Sequence, residues 1–245
     1  MILISFLGIL ILVGTHLFIH KLHLSQIPRS KWLSFAGGIS VTYIFIEALP
    51  ELREAQEHRE GEGKHLSIPL FEGHTIFLIA LLGLVCFYGL ENWAAKSTKS
   101  HRAPKEGTEK RVEGIFWIHL GAFAVYNSVI GYLILEQERQ SFKSLLLYCT
   151  AMAFHFTVTD HGLSDHFREE YRKKGRWILG FSVLLGWGLS LVLQIPQGIL
   201  GIIFAFIAGG IIMNVMKEEL PRERESNFFA FLTGTVVYAT FLALI

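Results

Sequence analysis

The chain has 245 residues, 51% of them hydrophobic, and a formal net charge of +1. So even a charge balance makes no case for a nucleic-acid partner. Its two cysteines, Cys86 and Cys149, share no C-x-x-C spacing and fix no redox compartment.

The charges gather in short segments. The stretches between them run for about 18–23 residues, the length a helix needs to cross a ~30 Å hydrocarbon core at 1.5 Å per residue. In chain order the predicted spans are 2–20, 31–50, 74–93, 114–135, 143–163, 176–194, 197–216 and 227–245. Membrane strands would need alternation, whereas these runs are continuously apolar. The first span has no basic leader and no small-residue cleavage site, so it reads as a permanent helix. The second is followed by an acidic segment from Glu51 to Glu72, containing His58 and His65, which reads as a solvated outer loop. The segment 94–112 is rich in Lys, Ser, Thr, Gly and Glu and is expected to be a mobile cytoplasmic loop. The sixth and seventh spans meet at Gln194-Ile195-Pro196-Gln197, which allows only an antiparallel hairpin.

With the N-terminus outside, 17 of the 22 Lys and Arg fall in inner loops and 5 in outer ones. The positive-inside rule therefore places both termini on the outer (periplasmic) side of a multi-pass cell-membrane protein. That parity favours eight spans. Trp32, Trp93, Trp117 and Trp177 fall near the inner boundary as an aromatic belt.

The second span contains Ala36-Gly37-Gly38-Ile39 and ends Glu47-Ala48-Leu49-Pro50. The seventh contains Ala208-Gly209-Gly210-Ile211 and ends Glu218-Glu219-Leu220-Pro221. The loop charges run these two spans in opposite directions, as in the inverted repeats of secondary transporters. Close helix packing at Gly-Gly and a proline after a helix end would produce the same residues.

On these segments the chain resembles the ZIP divalent-metal transporters. The resemblance implies an all-α integral membrane protein of eight helices with inverted three-helix repeats. It divides the chain into a first repeat at about 1–93, central helices at about 114–163 and a second repeat at about 176–245. It also implies a metal path between the fourth and fifth helices. There the family's histidine corresponds to Phe123 and its carboxylate to Asn127. In the fifth helix the family's ligand positions fall on Thr157, Val158 and His161. Asn127 and His161 thus stand at ligand positions with a changed residue type.

The fifth span also carries a polar set of its own, His155, Asp160, His161, Asp165 and His166. Ionisable groups within a membrane cost about 2.5–3.5 kcal/mol each on insertion scales and are functional candidates by default. Helix rise puts Asp160, His161 and His119 about 5–8 Å inside the inner boundary, His155 about 13 Å and Asn127 about 20 Å. Convergence of His119, Asp160 and His161 at one level is expected, with His155 and Asn127 continuing outward. Imidazole and carboxylate suit zinc, and also iron or manganese, as a transported substrate. Glu47, Asn214 and Asp165 are candidates for lining the path, whereas His16 and His20 read as interfacial.

Three functions follow as expectations. The first is a ZIP-like permease moving a divalent cation, zinc foremost, by alternating access. The second is a membrane-embedded metal hydrolase built on His119, Asp160, His161 and Ser164. The third is a ZIP-derived protein that no longer transports. The lipid bilayer and the cation are the expected partners, and a homodimer stays open.

Overall fold

A computed structural model describes residues 2–18, 29–61, 73–100, 108–219 and 227–244. Among these the chain is almost wholly helical, in eight rods. They are α1 (Ile2–Phe18), α2 (Arg29–Tyr43) continuing through a π-helical turn (Ile44–Ala48) into α3 (Leu49–Gly61), α4 (Thr75–Ser100), α5 (Thr108–Gln140) and α6 (Phe142–His166). A short α7 (Arg168–Glu170) and a second π-helical turn (Tyr171–Gly175) lead into α8 (Arg176–Val192), followed by α9 (Gln197–Glu219) and α10 (Phe228–Leu244).

Five segments are long and apolar enough to cross a membrane: Lys31–Glu57, Thr75–Trp93, Phe116–Gln140, Arg168–Val192 and Gln197–Lys217. The helices α1 and α10 are apolar but have 17 residues each. The helix α6 has 25 residues and is not among the five, for it carries His155, Asp160 and His161. The rods present Leu3, Leu7, Phe45, Leu81, Val125, Phe181 and Val236 outward and bury His16, Asn127, His155 and Asp160. This inside-out polarity is what a lipid solvent demands, because there polar groups must find partners within the protein.

Two expected loops are partly helix. The rod of the second span runs on past Pro50 to Gly61, so the first part of the acidic segment is not a loop. Pro50 stands inside this continuous rod and has no amide proton to give, and the π-helical turn Ile44–Ala48 directly before it is where the helical ladder changes to accommodate it. The segment read as a cytoplasmic loop is helical at both ends, within α4 to Ser100 and from Thr108 in α5. Residues 101–107, and His20 and His65, lie outside the described residues.

Helix packing is organised by glycines. A Cβ on Gly209 of α9 would stand 1.8 Å from the Ala80 carbonyl oxygen of α4, and one on Gly83 of α4 would stand 2.0 Å from the Phe206 carbonyl oxygen of α9. The absence of both side chains lets the two backbones touch. The pairs Gly38 with Gly234 (α2 and α10) and Gly131 with Gly186 (α5 and α8) cross in the same reciprocal way. Grouped about these crossings, α2 with α3, α4, α9 and α10 form one set, which meets the other where α2 packs on α6 and α4 on α5. The other consists of α1, α5, α6 and α8, with α1 packed on both α6 and α8. Gly209→Ala is expected to destabilise the protein by about 1–3 kcal/mol, the usual cost of forcing a group into a filled contact. Thermal unfolding in detergent measures it.

The bundle has two unlike ends. The acidic end carries Glu51, Glu54, Glu136 and Glu138, and the basic end Arg168, Arg172, Lys173, Lys174 and Arg176. Two hydrogen bonds fasten the turn between α8 and α9 to α5 at the acidic end. The Tyr132 hydroxyl donates to the Leu193 carbonyl at 2.9 Å and accepts from the Ile195 amide at 3.0 Å.

Candidate functional site

On α1 one stripe faces inward: Ser5, Gly8, Ile9, Leu12 and His16. The spacing is that of a single helix face, so His16 is aimed at the bundle interior, where it is 1% exposed. Its Nδ1–H donates to Asp160 Oδ2 of α6 at 2.7 Å. Its Nε2 accepts from Asn127 Nδ2 of α5 at 3.0 Å. The amide of Asn127 thereby fixes the tautomer and places the ring proton on the nitrogen that faces the carboxylate. The imidazole lies against the Phe156 ring at 4.3 Å between centroids.

The second half of the array is His155 with Tyr126. The Tyr126 hydroxyl donates to His155 Nε2 at 2.7 Å. The Thr159 hydroxyl, one turn on, donates to the His155 carbonyl at 3.0 Å and lies 3.4 Å from the same Nε2. Three atoms of this region lack a closed hydrogen bond. His155 Nδ1 and Asp160 Oδ1 are buried with no hydrogen-bond partner among the described residues, and the Tyr171 hydroxyl points toward Asp160 without closing a hydrogen bond. Asn127 is 1% exposed and both His155 and Asp160 are fully buried. Tyr126→Phe is expected to cost about 1 kcal/mol of stability, since it removes one buried neutral hydrogen bond, readable in thermal unfolding.

His119 belongs to another cluster. Its Nε2 lies 3.4 Å from Glu91 Oε1 of α4, and Glu91 also accepts from Lys217 Nζ of α9. The ring stacks on Phe123 at 4.9 Å. Asn214 shares this cluster, and a small enclosed cavity of about 10 Å³ lies among Glu91, His119, Thr159, Asn214 and Lys217. The expected convergence of His119, Asp160 and His161 therefore resolves differently: His119 meets Glu91, Asp160 meets His16, and His161 is half-buried on the adjoining flank of α6. Glu47 sits half-buried in the π-helical turn near the acidic end. Asp165 lies within α6, but its side chain is outside the described residues.

Three residues of these clusters, His16, Glu91 and Lys217, are not candidates in the sequence reading. His16 was assigned to the membrane interface because it stands near the end of its span. The signal for its true place was the stripe of small and apolar residues leading to it at helical spacing. Glu91 and Lys217 stand at the ends of their apolar runs, where a charge reads as a boundary residue. Gly83, Phe87 and Glu91 stand four apart on one face of α4, and that face meets α9 and α5.

Among the described residues no three His, Cys, Asp or Glu side chains gather round one point that could hold a metal ion. The donors of the main array are instead closed on one another. No protein family, curated protein or solved structure matches the chain.

The rings of Phe87, Phe123 and Phe206 pack together beside Tyr126 of the array. Beyond these aromatics a cavity of about 510 Å³ opens between α3 and α9 on one side and α5 on the other. It is lined by Glu51, Glu54, Glu136, Gln137 and Arg139 among others.

Proposed function

We propose that this chain is a ZIP-like membrane permease that passes a divalent metal cation, zinc by preference, by alternating access. One observation carries the reading: a histidine, an aspartate and an asparagine from three helices meet in hydrogen-bond contact inside an otherwise apolar bundle, with a second histidine on the next turns of α6. Buried ionisable groups of this kind are expensive in a membrane and are kept for ion and proton pathways. Imidazole nitrogen and carboxylate oxygen are also donors that suit zinc.

Two features of the packing support the reading. Exchanging α2 with α9 and α4 with α10 carries one glycine crossing onto another, Gly38–Gly234 onto Gly209–Gly83. That exchange matches the two Ala-Gly-Gly segments and the inverted repeat they suggest. The acidic cavity of about 510 Å³ would then be the outer vestibule, because the positive-inside rule turns the basic end to the cytoplasm.

The array loads a cation by opening its own contacts. His16 Nδ1 is free to coordinate once its proton leaves, and Asp160 Oδ2 once it is no longer accepting that proton. Cation loading therefore releases a proton, as metal binding to a protonated ligand must. Asp160 Oδ1 has no hydrogen-bond partner among the described residues, and His155 Nδ1, which carries the ring proton while Nε2 accepts from Tyr126, must release it before it coordinates. The hydrolase set of His119, Asp160, His161 and Ser164 has no comparable contact to support it.

The reading is tested by zinc flux into proteoliposomes. The wild-type chain is expected to take up zinc, and His155→Ala and Asp160→Asn are expected to lose uptake while remaining folded. Uptake at the wild-type rate in both variants removes this array from the transport path. No flux of zinc, iron or manganese through the wild-type chain leaves the reading without support and favours a non-transporting relative of the family.

A further inference from the structure

The array of His16, Asp160, Asn127 and His155 lies within one set of helices. The cluster around Glu91 does not. Glu91 on α4 and Lys217 on α9 belong to the set that packs through Gly83 and Gly209, whereas His119 on α5 belongs to the other. The Glu91–His119 contact is therefore a polar tie between the two sets.

Its two halves differ in closeness. Lys217 is drawn tightly onto Glu91 within its own set, while His119 Nε2 stands 3.4 Å from Glu91 Oε1 across the boundary. The long contact is the weaker one, so the boundary rather than the ion pair is where this cluster parts. The small cavity of about 10 Å³ beside it has room for one water. It also offers two buried polar atoms without a partner, His119 Nδ1 as acceptor and Asn214 Nδ2 as donor. At the opposite end the same two sets stand apart around the cavity of about 510 Å³. The rim of that cavity is bridged by Gln137 of α5 with Glu51 of α3 and by the Tyr132 hydrogen bonds, whereas the basic end is joined by the Glu91–His119 contact.

We propose that the Glu91–His119 contact, backed by Lys217, is a latch that holds the basic-end side of the bundle closed, and that its release lets water reach the cavity beside Asn214 and Thr159. The latch deepens the permease reading by naming the element that keeps the inner side shut. Opening moves His119 away with α5 and leaves the Glu91–Lys217 pair intact on α4 and α9. Glu91 then keeps a charged partner while it is exposed to water, so the opening leaves no lone charge behind. The water-sized cavity is the first space to fill, because its two unpartnered atoms already call for a hydrogen-bond partner.

The test reads access to the cavity and not transport, so it can succeed or fail whether or not the chain moves zinc. Asn214→Cys is introduced in a chain carrying Cys86→Ser and Cys149→Ala. A membrane-impermeant thiol reagent is then applied to inside-out vesicles. The double substitution Glu91→Lys with Lys217→Glu keeps an ion pair between α4 and α9 but turns an ammonium toward His119. It is expected to speed labelling about tenfold, the population shift given by losing one ordinary hydrogen bond. Lys217→Met alone, which keeps the Glu91–His119 contact, is expected to label more slowly than the double substitution. Equal labelling of the double substitution and its parent overturns the proposal. Labelling of Lys217→Met as fast as the double substitution also overturns it, for the ion pair would then be the closing element. If the double substitution does not fold, His119→Phe takes its place. Phenylalanine keeps the stacking on Phe123 and cannot bond to Glu91, so it must accelerate labelling or the latch is refuted.

Discussion

His16→Ala is expected to abolish cation uptake and to destabilise the protein by about 3–5 kcal/mol, the cost of leaving one member of a buried ion-paired contact alone. The reason lies in the partner. Asp160 is fully buried and its Oδ2 has His16 Nδ1 as its hydrogen-bond donor at 2.7 Å. Without His16 a carboxylate stays in the bundle interior, where water cannot replace the lost donor. Loss of uptake in this variant alone would not separate transport from folding, but a double variant does. His16→Phe combined with Asp160→Leu removes both polar partners and keeps apolar volume, and buried pairs replaced together are often neutral or stabilising. The double variant is expected to recover most of the lost stability and none of the uptake. Recovered uptake in a chain lacking both groups would show that the pair serves only to hold α1 against α6.

The second large effect is expected at the basic end. Lys217→Met removes the ammonium from Glu91, whose contact with His119 across the cluster is 3.4 Å long. Glu91 is 9% exposed, so most of its loss of hydration is already incurred. Destabilisation of about 3–5 kcal/mol is expected, by the same argument as for Asp160. Adding Glu91→Gln to Lys217→Met removes the orphaned charge and should restore much of the stability. Thermal unfolding of the single and double variants in one detergent measures the difference. A double variant no more stable than Lys217→Met would mean that the lysine contributes through its aliphatic stem and not through its charge.

The membrane character of the rods was legible in the sequence because lipid imposes one strong rule, a long apolar run for every crossing. The Ala-Gly-Gly segments were legible too, and Gly38 and Gly209 turn out to be backbone contacts of the kind their composition suggests. The candidate site was legible by helix and not by partner. Asn127, His155 and Asp160 were picked out because a polar residue in an apolar run is conspicuous. Their true partner, His16, was not, because depth counted along one helix says nothing of what the neighbouring helix covers. His119 and Asp160 lie at similar counted depths on adjacent helices, yet they face different neighbours. The direction in which a side chain leaves its helix is set by rotation about the helix axis, and only packing fixes that rotation. The extension of α2 through Pro50 into α3 was not legible for a related reason: a proline marks a helix end in sequence, whereas here a π-helical turn lets the rod continue past it.

The helix that carries the array is also the one that falls outside the set long and apolar enough to cross a membrane. This bears on how the chain is made. A translocon sorts each segment by its apparent free energy of insertion, and α6, with His155, Asp160 and His161, presents it with a poor substrate. Its predecessor α5 is among the apolar five, and Ser141 is the single non-helical residue between the two. The Ser141 hydroxyl caps the new helix by accepting from the Ser144 amide at 2.9 Å. Such a tight joint lets α5 and α6 partition as one helical hairpin, with the apolar member carrying the polar one into the bilayer. Asp160 then finds His16 of α1, a helix synthesised long before it. Biogenesis must therefore hold α1 near the lateral exit until α6 arrives, since each strands an ionisable group in lipid without the other.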